Sequence, residues 1–118
     1  MRSTISGCPA ATLSTGVHTP PIYVYDHGGG RGVLSGGCAI VGGYVYRGSA
    51  IPELDGVYFF ADNCDDRIAV LRYCGGSVMG DQIVPGIRVP GISSFGEDNA
   101  GELYATSLGG EVVKIVRR

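Results

Sequence analysis

Short apolar runs, each only a few residues long, alternate along this chain with glycine, proline and acidic turns. After Pro20-Pro21, which favour extended backbone, residues 22–25 (Ile-Tyr-Val-Tyr) form a β-prone run. Residues 27–37 hold six glycines and read as a loop. Residues 39–47 read as the next strand, in which Gly42-Gly43 marks a bulge or a close backbone approach. A turn segment with Pro52 leads to an apolar strand at 57–61. A polar turn (62–66) follows, then a strand at 67–73 closed by Gly75-Gly76. A short strand at 82–84 is cut by Pro85. Three more strands are predicted at 92–95, 102–106 and 112–116, with turns at 97–101 and 108–110. Residues 1–19 have no periodicity and read as a lead-in, so the chain divides into an irregular stretch at 1–20 and a strand-bearing unit at 21–118.

No window between glycines is long enough for an amphipathic helix, because an interior glycine costs a helix ~1 kcal/mol. The 21 glycines and 6 prolines among 118 residues therefore point to an all-β fold. The formal net charge of −2, with no basic stripe, gives no electrostatic footing for nucleic acid or an anionic membrane. No apolar run approaches the length needed to span a bilayer, and the start of the chain lacks the apolar core of a signal peptide.

The strands repeat. Residues 56–73 overlay residues 101–118 without a gap at an offset of 45, so that Gly56 meets Gly101, Phe59 meets Tyr104, Ile68 meets Val113, Val70 meets Ile115 and Arg72 meets Arg117. Each copy is strand, polar turn, strand, and the offset suits the blade of a β-propeller. The strands at 39–47, 57–61, 67–73 and 82–84 make one four-stranded antiparallel blade. Those at 92–95, 102–106 and 112–116 make most of a second. The run at 22–25 either ends a preceding blade or closes the second one. Two isolated blades leave apolar faces and edge strands bare. The expectation is therefore an oligomer, with a trimer completing a six-bladed ring.

Three stretches carry a resemblance to a known family: Gly42-Gly-Tyr-Val-Tyr-Arg-Gly48, Ile51-Pro-Glu-Leu-Asp-Gly-Val-Tyr-Phe-Phe-Ala-Asp62 and Ile92-Ser-Ser-Phe-Gly-Glu-Asp-Asn-Ala-Gly-Glu-Leu-Tyr104. They strongly resemble the glucose/sorbosone dehydrogenase family, six-bladed propellers that bind pyrroloquinoline quinone and calcium and oxidise sugars. The hedgehog-interacting-protein-like branch shares the domain. The resemblance runs from about Pro21 to the C-terminus and covers only the last blades of a full member. It implies a propeller fragment, export to an extracellular or periplasmic compartment, and a possible sugar ligand.

The four cysteines are Cys8, Cys38, Cys64 and Cys74, with no Cys-x-x-Cys pair to suggest zinc or thioredoxin-like chemistry. The resemblance implies a Cys38–Cys64 disulfide, worth ~3 kcal/mol in the chain-entropy model. Cys8 and Cys74 are then free or paired with each other.

The resemblance does not bring a catalytic residue. The family's histidine base belongs to an early blade that nothing here resembles, and His18 and His27 read as loop histidines. The quinone contacts would fall near Ser35, Gly37, Cys64, Gly91 and Ser93, none of the required type, with Arg88 the nearest cation. A quinone with three carboxylates needs cationic partners. Two acidic groups remain, Asp62, Asp65 and Asp66 in one turn and Glu97 with Asp98 in another. The first is a candidate calcium turn or a solvated acidic rim. The glycine-rich run from Gly28 to Gly32 lacks the setting of a phosphate loop. The expected function is thus a propeller segment resembling quinone-dependent aldose dehydrogenases, inactive on its own. The alternatives are a module binding a protein or glycan and a self-assembling ring.

Overall fold

The computed structural model describes residues 16–17 and 19–118. The lead-in at 1–15, with Cys8, and His18 lie outside the described residues. Seven strands form two antiparallel sheets. The first sheet is β1 (Ile40–Val45), β2 (Tyr58–Asp62), β3 (Arg67–Cys74) and β4 (Ser77–Arg88), in that order. The second is β5 (Ile92–Glu97), β6 (Leu103–Ser107) and β7 (Val112–Lys114). A single 3-10 turn, Pro52–Leu54, is the only helical piece among the described residues.

The repeat is realised in three dimensions. β2 and β6 span equivalent positions of the two copies, 45 residues apart, and β3 and β7 begin at equivalent positions. Gly56 and Gly101 both sit at positive φ, 81° and 80°, where only glycine is unstrained. The turns share their hydrogen-bond pattern. Asp62 accepts the Cys64 N–H at 2.8 Å, and its counterpart Ser107 accepts the Gly109 N–H at 3.0 Å. Asn63 N–H reaches back to the Ala39 carbonyl, and its counterpart Leu108 N–H to that of Gly91, each just before the first strand of its sheet. β1 precedes β5 by 52 residues instead, because the segment joining β1 to β2 is longer and carries the 3-10 turn.

The two sheets face each other and approach most closely at β1 and β5. Their shared core holds Phe59, Ala61, Ile68 and Val70 from the first sheet and Ile92, Phe95, Leu103, Ala105 and Ile115 from the second region. Gly43 makes the closeness possible: a Cβ there would lie 2.3 Å from the Phe59 carbonyl oxygen and 3.0 Å from the Phe95 ring. The β1–β2 register also shifts between Gly42 and Val45, so the pair marks both a bulge and a close approach. A buried polar bridge ties the sheets together beside it. Tyr46 donates to Glu102 at 2.7 Å and accepts from Ile51 N–H at 3.0 Å, and Glu102 accepts from Ala50 N–H at 3.1 Å.

Two expected elements differ. Residues 22–25 form no strand and extend neither sheet. They lie across the outer face of the first sheet, where Tyr23 and Tyr25 pack with Phe60, Ala69 and Leu71 while Ile22 and Val24 face solvent. The following glycine-rich loop folds around Asp26, whose side chain accepts Arg31 N–H at 3.0 Å and pairs with the Arg31 guanidinium. That loop delivers Leu34, fully buried, to the same cluster. The outer face of the first sheet, expected to be bare, is therefore covered by the chain's own residues. The second difference is β4, which runs through Pro85 rather than stopping before it. β4 is an edge strand, and its register against β3 jumps between Ile83 and Arg88, so Pro85 sits in a bulge where no ladder N–H is required. Upstream, Gly75 and Gly76 at positive φ make a two-residue hairpin that starts β4 at Ser77.

Candidate functional site

Two places on the fold combine shape with chemistry. The first is the turn after β2. Asp62 ends that strand fully buried. Its carboxylate accepts the N–H groups of Cys38 at 3.0 Å, Ala39 at 3.2 Å and Cys64 at 2.8 Å, and the Tyr25 hydroxyl at 2.5 Å. Gly37 is required beneath it, since a Cβ there would fall on the carboxylate. The Cys38–Cys64 disulfide, with a Cα–Cα distance of 5.7 Å, closes over this node and joins the residues that Asp62 already gathers. Burial works to raise the Asp62 carboxyl, but the Tyr25 hydroxyl and the three N–H donors outweigh it and hold it below the ordinary carboxylate value. Burial and the same hydrogen bond push the Tyr25 phenol well above its usual value. Beside the node is a cavity of about 310 Å³ lined by Tyr23, Tyr25, His27, Cys38 and Asp62.

The acidic turn does not gather its carboxylates around one point. Asp65 is held by Arg67, whose guanidinium lies 2.5 Å away, and Asp66 by Arg88 at 2.7 Å. The Arg67 hydrogen bond keeps the Asp65 carboxyl below its ordinary value. The one metal-like grouping among the described residues is Cys38, Asp62 and Cys64, but the two sulfurs are bonded to each other. In the other acidic group, Asp98 caps its own turn through the N–H groups of Ala100 at 2.9 Å and Glu102 at 3.0 Å and takes the Tyr104 hydroxyl at 3.0 Å. Each of these aspartates is already engaged as a hydrogen-bond acceptor within the fold.

The positions aligned with quinone contacts do not fit that cofactor. Cys64 is in the disulfide and Gly37 is packed on Asp62. Gly91 turns at positive φ. The Ser93 hydroxyl engages Thr106 at 2.9 Å. Arg88 points to Asp66. None of them offers an unpaired cation to the quinone carboxylates. His27 is exposed in the loop at the mouth of the small cavity. Cys74 is exposed at the end of β3 and has no disulfide partner among the described residues.

The second place is a trough of about 910 Å³ between the diverging outer parts of the two sheets. The first sheet has four strands and the second three, so β4 overhangs the free edge of β7. Val70, Val84, Ile87, Val113 and Ile115 line the trough with apolar surface. Arg88, Arg117 and Arg118 stand at its rim, but Arg88 is paired with Asp66 at 2.7 Å and Arg117 with Glu53 at 2.6 Å, so Arg118 is the cation there without an ion-pair partner among the described residues. The opposite, outward face of the second sheet is polar, with Ser94 and Thr106 sharing a hydrogen bond at 2.7 Å and Lys114 5.4 Å from the centre of the Tyr104 ring.

The trough was not visible in the sequence, because it exists only where two sheets of unequal width meet. The Tyr25–Asp62 node was missed for a related reason: its partners come from positions far apart in the chain. No family model matches this chain, and no solved structure matches it. Among the described residues no helix is long and apolar enough to cross a membrane.

Proposed function

We propose that this chain is a pair of propeller-type blades, of the kind found in the glucose/sorbosone dehydrogenase family, acting as a non-catalytic binding module outside the reducing cytoplasm. The observation that carries the blade reading is the 45-residue repeat, which recurs in β2 and β6, in the starts of β3 and β7 and in the turns between them. The binding role is supported by the trough, which joins an apolar floor to a sheet edge that no described strand covers. The disulfide supports an oxidising compartment.

A quinone and calcium titration tests the non-catalytic part. No quinone-dependent aldose oxidation with an artificial electron acceptor is expected, since the positions aligned with quinone contacts supply no cation. Turnover that requires both additions would overthrow the binding-module reading.

The three-chain ring is the second reading, supported by the two blade-like sheets and by the free edge of β7. It requires the outer face of one first sheet to meet a neighbour, and that face is occupied by Tyr23, Tyr25 and Leu34. The mass expected from light scattering behind a sizing column is therefore that of one chain. A threefold mass would replace the single-chain reading with a ring in which residues 22–37 have moved aside.

A further inference from the structure

The disulfide node holds more ligating chemistry than a cross-link needs. The Cys38 and Cys64 sulfurs and a carboxylate oxygen of Asp62 lie within 4.8 Å of one another. Hydrogen bonds hold these residues together apart from the S–S bond. Asp62 accepts the N–H groups of Cys38 at 3.0 Å and Cys64 at 2.8 Å, and Asn63 N–H bonds to the Ala39 carbonyl at 2.9 Å. With Cα atoms 5.7 Å apart, the two cysteines therefore stay neighbours when their bond is opened. Both are exposed, so a thiolate reaches the disulfide from solvent.

Charge sets what the opened node takes. Asp26, Asp65 and Asp66 each pair with an arginine, whereas Asp62 has no ion-pair partner among the described residues. Two thiolates beside its carboxylate bring three negative charges within 4.8 Å, a repulsion that a divalent cation offsets. Thiolate ligands select zinc-like cations over calcium and magnesium, which prefer oxygen alone. The spacing suits such an ion. Bonds of about 2.0–2.3 Å place the ligand atoms of a tetrahedral zinc roughly 3.3–3.8 Å apart, a difference that side-chain rotation supplies. The N–H donors that fix the Asp62 carboxylate serve as the outer shell that orients a metal ligand.

We infer that Cys38, Cys64 and Asp62 form a site for one zinc-like divalent cation in the reduced protein, with water in the fourth position. A dithiol opens the disulfide: it gives up two electrons and two protons and becomes a disulfide itself, and both cysteines become thiols. The cation then displaces those two protons and binds the thiolates and the carboxylate. The segment that leads into Cys38 is thereby tied to the turn after β2 in both redox states, by a covalent bond in one and a metal in the other. The site shares no residue with the trough and does not depend on the binding-module reading.

The test uses the full chain with Cys8→Ser and Cys74→Ser, reduced with a dithiol that is then removed without oxygen, so that the two thiols of the node remain. Cadmium, followed by its thiolate charge-transfer absorption, is expected to saturate at one ion per chain. Zinc competes for the site, and calcium at about hundredfold excess does not. The oxidised chain shows no band. In metal-free buffer the reduced chain and the Cys38→Ser, Cys64→Ser variant unfold alike in urea, and zinc raises the midpoint of the reduced chain alone. Asp62→Asn weakens cadmium binding by about tenfold or more. In the labelled chain with Asp62 intact, zinc shifts the Asp62 carboxyl carbon resonance and leaves that of Asp98 in place, a readout that needs no altered node to fold. The inference is overturned by no saturable binding below ~0.1 mM or by equal binding to the oxidised chain or the double-serine variant. It is equally overturned if zinc leaves the Asp62 resonance unmoved or Asp62→Asn binds cadmium as tightly, either of which would reduce the site to two sulfurs.

Discussion

Asp62→Ala is expected to lower the unfolding free energy by about 3–5 kcal/mol. The carboxylate is buried and serves four donors: the N–H groups of Cys38, Ala39 and Cys64 and the Tyr25 hydroxyl. Alanine leaves them without the acceptor that gathers them, and each stranded donor costs about 1–3 kcal/mol before relaxation and water entry. It also unfastens residues 22–37 from the outer face of the first sheet, because Tyr25 is one of the anchors holding them there. Asp62→Asn should cost less, since the amide keeps one accepting oxygen, but it turns an NH2 group toward neighbouring donors.

The loss has a pH signature. The folded-state carboxyl lies below its ordinary value, so the unfolded chain binds its proton more readily. The stability Asp62 contributes is therefore fully present above the ordinary carboxylate range and drains away as pH falls through the lowered folded value. Urea unfolding of the wild type and Asp62→Ala, followed from neutral to acid pH, should show two curves that draw together at low pH. A neutral-pH difference under about 1 kcal/mol, or one that does not change with pH, would mean that the node is held by something other than the ionised carboxylate.

Loss of the Cys38–Cys64 disulfide is expected to cost about 3.5 kcal/mol under oxidising conditions, the chain-entropy value for a sequence separation of 26. The double change Cys38→Ser with Cys64→Ser is the cleaner test, because it leaves no unpaired thiol at the site. Both cysteines are exposed, so replacing their sulfurs removes little packing. Unfolding measured with and without reductant should separate wild type from variant only when the disulfide is intact. Equal losses in both conditions would assign the effect to packing around Asp62 instead of to the cross-link. The two predictions concern neighbouring groups. Combining Asp62→Ala with the cysteine changes should therefore give less than the sum of the separate losses.

Strand positions were legible where the apolar pattern had glycine or acidic turns on both sides. The runs at 57–61, 67–73, 92–95 and 102–106 lie within one or two residues of β2, β3, β5 and β6. The 45-residue offset was legible too, because equivalent turns need equivalent residues: a glycine at positive φ in Gly56 and Gly101, and an acceptor side chain in Asp62 and Ser107. The β4 strand was cut short because Pro85 reads locally as a stop, whereas an edge strand with a bulge tolerates it. The tyrosines at 23 and 25 were read as a strand because they alternate with Ile22 and Val24. That alternation is real, but it serves side-chain docking on a finished sheet and makes no ladder.

The chain by itself determined an all-β fold, the two copies of the strand-turn-strand unit, and how many faces each strand has to bury. The last of these is written in β2 and β3, where Phe59 and Phe60, or Ile68 and Ala69, are neighbours that point to opposite faces and are all buried. A run apolar at every position needs cover on both sides, while the alternation of Leu103, Tyr104, Ala105 and Thr106 in β6 needs it on one. Only the tertiary structure decided what supplies that cover: the second sheet on one face, and on the other the loop led by Tyr23 and Tyr25. It alone decided that Asp62 would gather donors from residues 25, 38, 39 and 64, and that four strands would overhang three to leave the β7 edge open. Local pattern records how many faces a strand must bury, and it carries no record of which distant segment arrives to bury them.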